Sequence, residues 1–140
     1  MQRDWFLRLA VLATGLTMMV VVLGGYVRLS DAGLGCPDWP GCYGELLVPA
    51  DEVAVARANA AFPERPLEAA KGWKEMLHRY VAGILGLLIF ALALVALRRR
   101  HEPAQPVALP VVLVGVVLFQ AVLGMWTVTW QLKPVVVMAH

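Results

Sequence analysis

Two short groups of residues and one further histidine carry most of the chemistry open to this chain. Glu75 and His78 stand three residues apart and Arg79 follows, giving Glu-x-x-His-Arg. On a helix that spacing puts carboxylate and imidazole on one face, about a turn apart. The group stands directly before an apolar run, and ionisable residues entering a membrane are costly enough to mark a candidate functional site. Glu-x-x-His also occurs in carboxylate di-iron bundles, but those take two such motifs and further Glu residues. A single copy rules that centre out for this chain. A haem iron needs only one or two axial ligands, and His is a common one. Taken alone, Glu75 and His78 read equally as interface residues capping a helix. His140 shifts that balance, because it lies six residues into a further apolar segment at a depth comparable with His78. Two histidines on neighbouring helices could then hold one haem iron between them. Arg28 and Arg79 match porphyrin propionates through bidentate geometry, with interface anchoring as the other reading. His101 follows Arg98-Arg99-Arg100 and reads as a solvated bystander.

The second group is Gly35-Cys36-Pro37-Asp38-Trp39-Pro40-Gly41-Cys42, which holds both cysteines of the chain. Five residues separate them, too many for a thioredoxin-like C-x-x-C. An oxidising compartment favours a disulfide here, and two roles stand open: a structural staple or a redox-active pair. Two thiolates alone make a poor metal site. Gly24, Gly25, Gly83 and Gly86 allow close helix packing or leave room for a flat macrocycle, packing being the simpler reading.

The elements that position these residues follow from composition. Of the 140 residues 60% are hydrophobic and 16% charged, with mean hydropathy +0.69. Soluble domains are nearer 45–50% apolar and about 25% charged, so a soluble globular protein is disfavoured and a disordered one excluded. A net charge of +2 gives no reason to expect a nucleic-acid partner. Residues 9–27 form a charge-free run that reaches roughly 28 Å as a helix, enough to cross a bilayer. The run is longer than a signal-peptide core and no cleavage site follows, so it reads as a retained span. Residues 80–97 and 107–130 give the second and third spans, joined by a turn at 98–106. Pro110 sits in the first turn of the third, where a missing N–H is tolerated, and Trp126 and Trp130 suit an interfacial belt. Residues 134–140 begin a fourth span. The expected class is therefore all-α: a polytopic membrane helical bundle of three transmembrane helices plus the start of a fourth.

Arg3, Arg8 and Arg98–Arg100 concentrate basic charge on one side of these spans. The positive-inside rule makes that side cytoplasmic, N-terminus included, and turns the 28–79 loop outward from a cell membrane. The front of that loop, rich in Gly and Pro, should be irregular. Its Ala-rich second part, interrupted by Pro63 and Pro66, predicts two short helices lying on the membrane surface.

Several stretches together resemble the haem A synthase family of cytochrome oxidase biogenesis. They are Gly24-Gly25-Tyr26-Val27-Arg28-Leu29-Ser30-Asp31-Ala32-Gly33-Leu34-Gly35-Cys36-Pro37-Asp38-Trp39-Pro40, then Cys42, Glu75-Met76-Leu77-His78-Arg79, Phe119-Gln120-Ala121-Val122-Leu123-Gly124 and Met138-Ala139-His140. The resemblance implies the first half of an eight-helix, two-repeat fold, a Cys36–Cys42 disulfide, an essential carboxylate at Glu75 and an iron-ligand pair at His78 and His140. It further implies an oxidoreductase that converts a methyl group of haem O to the formyl group of haem A, with haem b expected in the other half. Haem O synthase, or further subunits or segments of the same protein, would be partners alongside the bilayer, and the chain is expected to be truncated. Two other classes are consistent with the same residues: a b-type haem-binding electron-transfer subunit and a non-catalytic oxidase assembly partner.

Overall fold

A computed structural model describes residues 2–103 and 105–140, with the side chains of residues 2–4 outside that description. The Arg3 side chain, part of the basic bias above, and residue 104 of the expected 98–106 turn lie outside the described residues. Five helices are present among the described residues: α1 (Gln2–Leu29), α2 (Glu52–Ala61), α3 (Ala69–Arg98), α4 (Ala108–Thr129) and α5 (Pro134–Ala139). α1, α3 and α4 are long and apolar enough to cross a membrane. The molecule is an all-α, multi-pass membrane bundle.

α1 and α3 extend past the apolar runs that announce them, while α4 lies just within its own. α1 has no internal proline, and its Thr14 and Thr17 hydroxyls donate to the Ala10 and Ala13 carbonyls at 2.9 and 2.8 Å. Such back-bonding satisfies a hydroxyl where no water is at hand. The largest difference from expectation lies in the loop. Instead of two surface helices there is one, α2, capped by Asp51, whose carboxylate accepts from Ala54 N–H at 2.9 Å. Pro63 and Pro66 break the chain after it, but nothing from Ala69 onward does. The expected second helix is therefore the leading end of α3, continuous with the membrane span.

α3 lies between α1 and α4, and α5 packs on α4. Within the apolar layer Leu85, Ile89 and Leu92 of α3 meet Ala13 of α1, with Val114 and Val117 of α4 packed alongside. A second core sits at the loop end, where Cys36, Cys42, Tyr43 and Val48 close on Ala58 and Met76. Many large apolar side chains of the spans face outward, Val22, Leu87 and Leu118 among them. That suits surfaces in contact with lipid or with other helices.

Between α1 and α2 the chain is folded tightly without regular structure. Cys36 and Cys42 form a disulfide and are wholly buried. Cys42 and Glu45 exchange backbone hydrogen bonds around a turn in which Tyr43 and Gly44 have φ of 56° and 80°. The Asp38 carboxylate accepts from both turn amides at 2.7 Å. Gly35 lets the loop backbone press on α3: a Cβ there would come within 2.6 Å of the Lys71 carbonyl oxygen.

Candidate two-histidine site

His78 projects from α3 and His140 follows the last residue of α5, which brings their rings together from distant parts of the chain. The ring centroids are 6.4 Å apart and the planes 83° to one another. Two nitrogen–metal bonds of about 2 Å each, plus the half-width of each ring, put imidazole centroids about 6 Å apart. The spacing therefore fits a single metal centre such as haem iron held between them. His78 Nδ1 is buried with no hydrogen-bond partner of acceptable geometry, although the Val20 carbonyl lies close to the ring. The Gln120 carbonyl stands likewise beside His140. Ligating histidines commonly give their second N–H to such a carbonyl. Among the described residues no cluster of three or more His, Cys, Asp or Glu could hold a metal ion.

Glu75, one turn before His78, is buried and doubly engaged. Its Oε2 accepts from the Cys36 N–H at 2.9 Å and its Oε1 pairs with the Arg79 guanidinium at 2.5 Å. Arg79 in turn donates to the carbonyls of Asp38, Pro40 and Gly41. The sequence reading offered Arg79 to a propionate; the structure gives its guanidinium to Glu75 and the loop backbone. Together the two side chains fasten the disulfide loop to the helix that carries His78. Arg28, in the last turn of α1, is exposed. His101 is exposed past the far end of α3, beside Arg100. At 1.5 Å per residue it lies roughly 30 Å from His78. Outside the spans, burial pushes the Tyr43 phenol above its ordinary pKa, and the hydroxyl donates to the Arg65 and Pro66 carbonyls.

The glycine contacts escaped the sequence reading. His78 abuts Gly24 of α1 and His140 abuts Gly124 of α4. A signal was available, since Val22-Leu23-Gly24 recurs as Val122-Leu123-Gly124, but three residues are too few to read as a repeat without the structure.

Three membrane-length helices define a polytopic helical membrane protein, and one histidine pair meets within it. The chain belongs to the cytochrome oxidase assembly protein family (COX15-CtaA), whose model matches residues 7–140. It is 48% identical over its whole length to a haem A synthase of Shewanella oneidensis, covering 41% of that protein. It is 33% identical to a haem A synthase of Exiguobacterium sibiricum, over 89% of this chain and 37% of the relative. A haem A synthase of Shouchella clausii is 28% identical over 95% of this chain and 39% of that protein. The chain thus spans about two fifths of the length of these relatives. No solved structure matches it.

Proposed function

We propose that this chain is the N-terminal, haem-binding half of a haem A synthase, an oxidoreductase that converts a methyl group of haem O to a formyl group by successive hydroxylations. The observation that carries this reading is the facing pair His78–His140 at 6.4 Å, in a chain whose full-length relatives bear that name. His78 and His140 would hold the iron of the substrate haem between them. Arg28, exposed at the same end of the bundle, pairs with a propionate. Glu75 acts one helical turn from His78, where its carboxylate stabilises positive charge or accepts a proton as the methyl carbon is oxidised. Arg79 holds Glu75 and the loop in place. Burial of both cysteines favours the staple role for the disulfide. The loop faces outward from a cell membrane and the N-terminus lies in the cytoplasm. Haem b occupies the other half, and haem O synthase delivers the substrate.

The test uses the protein encoded by its whole gene, expressed in a host that makes haem O but no haem A, with mass spectrometry of the extracted haem. The heavier formyl product is expected, and it disappears in His78→Ala and falls sharply in Glu75→Gln. Undiminished product in Glu75→Gln removes that residue's role, and unconverted haem O with the unaltered protein removes the enzyme reading. One observation favours a second reading, a b-type haem electron-transfer module: both oxygens of Glu75 are already engaged. That module would return its haem from the same extraction unchanged.

A further inference from the structure

The two histidines reach the site on different elements, yet each meets its neighbour in the same way. A Cβ built on Gly24 would lie 3.1, 3.6 and 3.7 Å from Cε1, Nε2 and Nδ1 of His78. On Gly124 the same atoms of His140 would lie at 3.2, 3.6 and 4.0 Å. Both glycines follow Val-Leu, and both stand seven residues before a left-handed residue that ends the helix, Asp31 and Gln131, each at φ 52°. The closing hydrogen bonds correspond too: Ala32 N–H to Val27 O at 3.0 Å, and Leu132 N–H to Thr127 O at 2.7 Å. The backbone acceptors beside the rings, Val20 and Gln120, are each four residues before the glycine. α1 and α4 therefore present the same surface, in the same register, to two histidines from different parts of the chain.

We propose that Gly24 and Gly124 are positioning residues, each leaving a seat on its helix for the Nδ1–Cε1–Nε2 edge of one imidazole. Helical Cβ atoms tilt toward the N-terminus, so a side chain at either position would cover the turn before it, where the ring and the carbonyl of Val20 or Gln120 meet. That carbonyl already accepts a helical amide and keeps a second lone pair. An Nδ1–H turned to it would leave Nε2 for the iron. This inference rests on the haem-ligand reading above.

The test compares Gly24→Ala and Gly124→Ala with Gly15→Ala and Gly115→Ala, whose added methyls would meet nothing within 4 Å. Each variant of the whole-gene protein is titrated with ferric haem b, and the low-spin EPR signal, which follows the relative orientation of the two imidazole planes, is recorded. The methyl at 24 or 124 forces its ring to shift, so about tenfold or greater weakening is expected with a changed EPR signal. The 15 and 115 variants should match the unaltered protein in both. Gly24→Ala indistinguishable from Gly15→Ala overturns the seat. A His78→Ala spectrum that keeps every low-spin component of the unaltered protein overturns the haem-ligand reading instead. Should Gly24→Ala lose its helical circular dichroism, Gly24→Ala/His78→Ala decides the matter. With the ring gone the methyl has room, so the fold must return, and a double variant that stays unfolded contradicts the seat.

Discussion

Glu75 illustrates what single residues contribute here. Removing its carboxylate strands a largely buried Arg79 and leaves the Cys36 amide without its acceptor. Glu75→Ala should cost about 3–5 kcal/mol, the range for breaking a buried pair from one side. Glu75→Gln keeps an acceptor for the amide and should cost less. Thermal unfolding in detergent gives the comparison, and equal melting points for the two variants would count against the fastening role. Tyr43 gives a pH prediction. Burial raises the phenol's pKa in the folded loop, so its contribution is fully present below the ordinary value near 10. It is lost as pH rises through the higher folded value. Disulfide reduction should therefore accelerate at strongly alkaline pH. In Tyr43→Phe, less stable by about 1 kcal/mol, that part of the pH dependence should vanish. The Glu-x-x-His spacing was legible in the sequence because it is local. The Glu75–Cys36 contact was not, since it spans 39 residues and exists only once the loop has docked.

At the scale of elements, hydropathy located the spans but not their ends. The apolar run at 80–97 belongs to a helix that begins at Ala69, because residues 69–79 contain good helix formers and no proline. Composition marks where a helix meets lipid; backbone propensity and proline decide where it starts and stops. That difference matters for the site, since Glu75 and His78 stand on a rigid helix continuous with the span and not on a separate surface piece. The two core clusters predict separable behaviour. Replacing both Cys36 and Cys42 with serine should remove about 2 kcal/mol of loop stabilisation and expose residues 30–51 to protease. The contacts of Leu85, Ile89 and Leu92 lie in the other cluster, so cleavage within α3 and α4 should not increase. Cleavage spreading into those helices would show that the clusters are coupled.

At the scale of the whole molecule, composition and the run lengths were enough to place the chain among multi-pass membrane proteins, and the fold agrees. The repeated glycine seat was not visible at that scale, because it joins α1 to α3 and α4 to α5 through three shared residues and a common helix ending. It makes the site a product of two like surfaces, each against one histidine, with the histidines as the parts that differ in origin. The central claim is that His78 and His140 bind one haem iron between them. The most direct measurement is the low-spin ferric EPR spectrum of haem bound to the whole-gene protein, compared with His78→Ala and His140→Ala. The account predicts that both variants lose the same bis-histidine component. Persistence of that component in either variant would contradict it.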